Sequence, residues 1–279
     1  MTFSSLAVNN SNFTQSFAPM GSVFYADSLS GETITIEKSL FYNFGANSLA
    51  TSLVSLNSGW LDISSAAFLD ISIPLFSLEA TSAKLIDIVA SNINCNSSSP
   101  FCILQGISMS VEFDNIRMTN IASNSDLIVL NSPLPNTTIN NIQVKGVTCN
   151  NNVKNNQKQL FALRISSGKN VTITDSYFYS FINFSSIIAD KSALLLMNSN
   201  FSNKPTERQL FAPASEFEVD LATKEYSAET SGFSSSLAQF LVFSASNVSI
   251  IQSYFSYNSG VPQINGGVRS EFHCSDNYS

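Results

Sequence analysis

The chain has 279 residues, 44% of them hydrophobic and only 12% charged, with a formal net charge of −7. That is ample apolar material for a packed core, which argues against disorder. The acidic balance argues against nucleic acid, which needs a basic footprint. No apolar run approaches the roughly 20 residues of a membrane helix. A chain rich in Ser, Asn, Thr, Ile and Phe and poor in Lys and Glu reads as β-rich, not helical.

The N-terminus, MTFSSLAVNNSNF, shows neither the basic nor the apolar region of a signal peptide. It does contain the first copy of a template: apolar, x, apolar, x, x, Ser, x, Phe. With its first position called p, the template appears as LAVNNSNF at Leu6, ITIEKSLF at Ile34, LDISSAAF at Leu61, IDIVASNI at Ile86 and VEFDNIRM at Val111. It continues as TTINNIQV at Thr137, VTITDSYF at Val171, LLLMNSNF at Leu194, VDLATKEY at Val219, VSIIQSYF at Val248 and a degraded NGGVRSEF at Asn265. Phe fills the eighth position in seven of these eleven copies: Phe13, Phe41, Phe68, Phe178, Phe201, Phe255 and Phe272. About one would be expected from composition, so the excess is the repeat signal.

A second apolar segment precedes most copies. It begins at Val23, Leu53, Leu75, Cys102, Leu127, Leu160, Ile187, Leu210 and Phe240. Within the template, p and p+2 share one phase and p+5 and p+7 the other. A strand changes phase only at a corner. Asn10, Asn115, Asn141, Asp175 and Asn198 sit at that corner, and Asn and Asp tolerate left-handed backbone. Each repeat is therefore expected to form three short strands. Stacking the repeats about 4.8 Å apart sets Phe on Phe and Ser on Ser inside a tube.

This pattern resembles the right-handed parallel β-helix, the pectin-lyase-like architecture, of the surface-protein and adhesin type. The residues that carry the resemblance are the I/V-x-I-x-x-S-x-F copies and the Asn/Asp column. It implies an all-β fold of about ten coils with three strands each, one continuous solenoid over residues 1–279. Many members of the architecture are polysaccharide lyases or hydrolases with clustered Asp, Arg, Lys and His. Here the one His is His273, and Arg164–Ser167 does not continue to the Lys of the galacturonase signature. No convergent acid–base set is found, so the expectation is a protein that is not an enzyme and carries no cofactor.

Four sets of residues invite a functional reading. Asp62, Asp87 and Glu112 all fall at p+1 of consecutive copies, which predicts a carboxylate column. It reads either as a Ca²⁺ site or as a solvated acidic stripe that resists sideways sheet pairing. Leu53, Leu75, Leu127, Leu160, Leu210 and Phe240 each precede a second apolar residue, so one column is expected either to face outward as an association stripe or to be tucked in by its own loop. Nine N-x-S/T sequons stand at Asn9, Asn12, Asn96, Asn136, Asn170, Asn183, Asn200, Asn247 and Asn277. About seven arise from composition alone, but none occupies an inward position, and Asn136, Asn170 and Asn247 share one ridge. Cys95 and Cys102 bracket a turn-rich loop and form a disulfide if the protein is extracellular; otherwise they are buried thiols. Cys149 and Cys274 have no assigned partner.

Neither end shows a polar capping repeat, which leaves a segment of a longer array or a filament subunit that stacks head to tail. The sequence thus predicts a self-associating structural solenoid, a building block of an extracellular fibre, surface coat or adhesin, with N-linked glycans possible. The competing reading is a carbohydrate-active or carbohydrate-binding protein of the same fold.

Overall fold

The computed structural model describes residues 5–14, 24–27, 33–44, 52–95, 102–105, 110–131, 136–149, 160–182, 184–202, 241–244, 246–251, 253–256, 264–266 and 271–275. Among them there is no helix. The protein is all-β, and its strands join side by side, in parallel, into one large sheet assembled from three ladders.

Ladder one stacks the first half of each template copy. It runs through β1 (Ser5–Asn9), β4 (Thr33–Glu37), the end of β6 (Val54–Ser64), the middle of β8 (Phe76–Cys95) and the starts of β10 (Ser110–Ser123) and β12 (Asn136–Cys149). It continues through β14 (Val171–Thr174), β17 (Ala193–Met197), β20 (Asn247–Ile251) and β23 (Glu271–Ser275). Ladder two stacks the second half: β2 (Asn12–Thr14), β5 (Leu40–Phe44), β7 (Ala67–Ile71), the ends of β8, β10 and β12, then β15 (Tyr177–Ile182), β18 (Asn200–Ser202) and β21 (Tyr254–Ser256). Ladder three stacks the second apolar segment: β3 (Phe24–Asp27), the starts of β6 and β8, β9 (Cys102–Gln105), β11 (Ile128–Asn131), β13 (Leu160–Ser166), β16 (Phe184–Asp190), β19 (Leu241–Ser244) and β22 (Ile264–Gly266).

The corner between ladders one and two falls where the sequence puts it. At p+4 the backbone is left-handed in Asn10, Lys38, Ser65, Asp87, Asn115, Asn141, Asp175 and Asn198, with φ between 48° and 54°. A single left-handed residue reverses the pleat, so p and p+2 before it and p+5 and p+7 after it all turn to the buried side. Ser at p+5 completes the turn. The Ser176 hydroxyl donates to the Thr174 carbonyl at 2.7 Å and accepts the Ile142 amide at 3.3 Å from the preceding repeat. Ser199 repeats the pair of bonds, to the Met197 carbonyl and from the Ser176 amide. The hydroxyl captures an amide that the bend removes from the ladder, which a methyl group could not do.

A second corner, not read from the sequence, follows five residues later. At p+9, Asn43, Asp70, Asn92, Asn120 and Gly146 are left-handed, with φ between 53° and 67°. It turns p+10 inward, and Phe44, Ile71, Ile93, Ile121 and Val147 are all buried. Buried residues of the ladders belong to one continuous hydrophobic cluster.

The register corrects two template copies. Leu61 pairs with Ala83, not Ile86. Val248 pairs with Phe272, so Phe272 stands at p and not in the Phe column, and the copy at Asn265 dissolves. Leu194 pairs directly with Val248, and Ile187 with Leu241; the sequence sets the copy at Val219 and the segment at Leu210 between these partners. Both lie outside the described residues.

The remaining Phe column is real. Phe13 stacks on Phe41, and Phe41 on Phe68, each at 4.9 Å with interplanar angles of 8° and 12°. Phe178 stacks on Phe201 at 5.1 Å and 1°, and Phe255 follows Phe201 in register. Ala90, Met118 and Val144 fill the places between the two stacks. Replacing Phe41 by Ala removes a fully buried ring packed on both faces. Equilibrium denaturation of Phe41→Ala is expected to show a loss of about 3–5 kcal/mol. Tyr42→Ala, on the exposed face one residue away, should change stability by less than about 0.5 kcal/mol. Equal losses would contradict the column.

Candidate functional site

Among the described residues, polar side chains at the corners form hydrogen-bonded columns from repeat to repeat. At p+4, the Asn115 amide donates to Asp87 Oδ1 at 2.6 Å, and Asn141 donates to Asn115 Oδ1 at 3.2 Å. At p+9, Asn92 donates to Asp70 Oδ1 at 3.1 Å, and Asn120 to Asn92 Oδ1 at 3.2 Å. At p+3, Asn140 donates to Asp114 Oδ1 at 2.7 Å, and the Thr174 hydroxyl to Asn140 Oδ1 at 2.8 Å. Each chain of bonds runs toward lower residue numbers and ends on a carboxylate. An ionised carboxylate only accepts, so it fixes which way every amide above it points.

This arrangement overturns the predicted carboxylate column. Asp62 stands opposite Lys84, which stands opposite Glu112. Lys84 Nζ lies 3.5 Å from Glu112 Oε2. Asp87 is not in that column; it is the left-handed corner residue held by Asn115. The slip of three residues arose because Ala83-Lys84-Leu85 and Ile86-Asp87-Ile88 both read apolar-x-apolar. Requiring Asn or Asp at p+4 would have chosen Ala83. Among the described residues, no three His, Cys, Asp or Glu side chains converge as metal ligands.

The association stripe is also corrected. Leu53, Leu75 and Leu127 are fully buried, as are their neighbours Val54, Phe76 and Ile128 within a few per cent. The amides of Leu53 and Val54 both donate to the next repeat, to the Pro74 and Leu75 carbonyls at 2.8 Å. Consecutive amides of a regular strand point opposite ways, so the chain bends here and turns both side chains inward. Leu160 is buried and precedes Leu163, the residue in register with Ile128. Leu210 and Phe240 lie outside the described residues.

Of the sequon asparagines, Asn9, Asn12, Asn136 and Asn170 are exposed, and Asn200 is half-buried. Asn136 and Asn170 adjoin in register, and the Asn170 amide donates to Asn136 Oδ1 at 3.4 Å. Asn247 shares their position, separated from Asn170 by Ala193. Asn96, Asn183, Asn277 and the Asn247 side chain lie outside the described residues.

Cys95 is a free thiol, fully buried, and so is not bridged to Cys102. It ends β8 on the buried face, in register with buried Ser123, which accounts for its withdrawal from the loop that follows. The side chains of Cys102, Cys149 and Cys274 lie outside the described residues. Burial pushes the Cys95 thiol from its ordinary value of 9.0 to about 12.

Two contacts escaped the sequence reading. Asp126, 4% exposed, accepts from Arg164 Nε at 2.6 Å and from the Phe161 amide at 2.8 Å. The Arg164 guanidinium also covers the Phe161 ring at 5.2 Å. This pair ties β13 to the repeat before it across the Asn-rich insertion, a separation no local pattern reveals. Lys145 caps the Tyr179 ring at 5.5 Å on the exposed face of ladder two.

No protein-family model, curated protein or solved structure matches the chain.

Two measurements test these assignments. Asp126→Ala strands a partly buried guanidinium and is expected to cost about 3 kcal/mol by denaturation, insensitive to salt. Glu112→Gln, in an ion pair open to solvent, should cost less than about 0.5 kcal/mol. The Cys95 thiol stays protonated in the fold while the unfolded chain ionises above pH 9, so its contribution is constant below pH 9. It is then lost as pH rises toward 12, by up to about 1.4 kcal/mol per pH unit. Cys95→Ala should lack that part of the alkaline slope, and an unchanged slope would place the thiol in solvent.

Proposed function

We propose that the three ladders are the three walls of a right-handed parallel β-helix of about ten coils, and that the protein is a structural building block of an extracellular fibre, surface coat or adhesin. The right-handed sense is the one parallel crossovers almost always take. One observation carries the functional reading: the corner carboxylates Asp70, Asp87 and Asp114 hold amides of neighbouring repeats. Their chemistry serves the stacking of repeats. The exposed sequons at Asn9, Asn12, Asn136 and Asn170 suit a glycosylated outer surface, and the regular rise suits a spacer.

A carbohydrate-binding role is the second reading, and the exposed face of ladder two favours it. Arg117, Gln143, Lys145, Tyr177 and Tyr179 lie in adjacent registers there. Among the described residues, positions p+6 and p+8 of that face carry no carboxylate, although the chain bears a net charge of −7. Tyrosine faces and cations together suit sugar rings and their acidic substituents.

Small-angle scattering and viscometry separate the readings. The structural role predicts a rod about 50 Å long per chain and no fall in the viscosity of neutral or acidic polysaccharide solutions. Compact scattering would remove the β-helix. Depolymerisation would replace the structural role with an enzymatic one, and polysaccharide-retarded electrophoresis lost in Tyr179→Ala would replace it with a binding one.

A further inference from the structure

At position p−1 of ladder one, the outward side chain is small or polar in Thr33, Ser82, Ser110 and Asn136. In the repeat between Thr33 and Ser82 it is Trp60. Trp60 is 53% exposed, more than any other large hydrophobic residue described. Neither a hydrogen bond nor a ring contact holds it among the described residues. Packing gives no reason for an indole in that column, since Thr and Ser serve the same strand position in the adjoining repeats. The turn that leads into it is also particular. Ser58 and Gly59 have φ of 75° and 126°, whereas the equivalent turns at Ser167 and Lys191 hold one left-handed residue each. A reshaped turn in front of an exposed aromatic side chain points to recognition.

Asp62 lies two residues on. The intervening Leu61 is fully buried, so Trp60 and Asp62 share the outer face, roughly 6.6 Å apart along the strand. Lys84, beside Asp62 in register, gives its ion pair to Glu112 at 3.5 Å. Asp62 itself has neither a hydrogen bond nor an ion pair among the described residues. A half-buried carboxylate and an open indole thus stand without partners, at a spacing that one cation can bridge. The surrounding sheet has the same sign. From β4 to β10, positions p+1 and p+3 of ladder one carry Glu37, Asp62, Glu112 and Asp114 against the single cation Lys84.

We propose that Trp60 anchors a docking surface for a basic polypeptide, which lays an Arg or Lys head group over the indole and within hydrogen-bond reach of Asp62. Indole is the strongest cation–π partner among side chains, and Trp and Arg are enriched at binding hot spots. The neighbouring carboxylates attract further cations of the same segment. A second copy of this chain is the poorer occupant, since it brings its own net charge of −7. A neutral sugar would use the indole but not the acidic row. The surface lies on ladder one and is separate from the cationic, tyrosine-bearing face of ladder two.

Trp60 is the chain's one Trp, so its emission reports on the site directly. Titration of the full chain with oligoarginine peptides at low salt is expected to shift that emission saturably, and the affinity should fall as salt rises. By calorimetry, Trp60→Ala and Asp62→Asn should each weaken binding about fivefold, with circular dichroism and thermal unfolding unchanged. Tyr42→Ala removes a comparably exposed aromatic residue from ladder two and should bind like wild type. Absence of binding by wild type overturns the proposal. So does binding that Trp60→Ala leaves intact, which would reduce it to net charge, or an equal loss in Tyr42→Ala. An emission shift produced by neutral oligosaccharides, or by raising the concentration of the protein alone, would replace the basic partner with a sugar or a second copy.

Discussion

The repeats from Leu6 to Leu194 each bend at p+4 through a single left-handed residue, and in those from Ile34 to Thr137 the chain bends again five residues later. The rest of the structure depends on that short stroke. Four or five residues supply only two buried side chains per ladder, too few to shelter one repeat from water. The buried face of each repeat must be roofed by the next, and the register between them cannot slip without turning apolar rows outward. The corner also selects its own residues. Only Gly, Asn and Asp enter the left-handed region at little cost. Asn and Asp have the further property that stacked copies bond each other. Lys38 and Ser65 show that the bend persists without that chemistry, so the corner is set by the fold and reinforced by the side chains.

Locally periodic features were legible in the sequence. The alternation at p, p+2, p+5 and p+7 announced strands, the phase change announced a corner, and the Phe excess announced stacking. The column of Asn and Asp at p+9 was equally visible, in Asn43, Asp70, Asn92 and Asn120, and would have revealed the second corner. The errors came where a local pattern had two registers. Ala83 and Ile86 compete as p, and only the left-handed Asp87 decides between them. Leu53 and Val54 read as opposite faces because alternation was assumed through a bend. Asp126 and Arg164 are joined across an insertion, and no spacing rule reaches that far.

The Phe column shows how stacking and volume are reconciled. Rings lie face to face in Phe13–Phe41–Phe68 and again in Phe178–Phe201. Between these runs Ala90, Met118 and Val144 hold the position. There the other ladders supply the bulk. Phe76 from ladder three meets Phe68 edge-on at 5.5 Å, and Phe113 enters from ladder one. The exchange is incomplete at Ala90, where Leu75, Phe76, Ile88, Phe113 and Met118 line an apolar cavity of about 20 Å³. A void that small holds no useful ligand; it is the residue of trading one large ring for an alanine.

In-register stacking also constrains charge. Equivalent residues lie about 4.8 Å apart, close enough for two carboxylates to repel by roughly 1 kcal/mol or more near a surface. The columns avoid this by alternation. Lys84 separates Asp62 from Glu112, and Asn follows Asp at p+4, p+9 and p+3. Amides are the side chains that can both donate and accept along such a column, which gives the abundance of Asn a structural cause. Sequon number then follows from that abundance, and the number alone carries no information about glycans. What bears on glycosylation is accessibility, and there the positions differ. Asn9 and Asn12 are exposed on β1 and β2, with Glu37 and Leu40 beside them in register and no second sequon asparagine. Asn136 and Asn170 lie on an exposed flank, near enough to bond each other, so glycans on both would compete for one space.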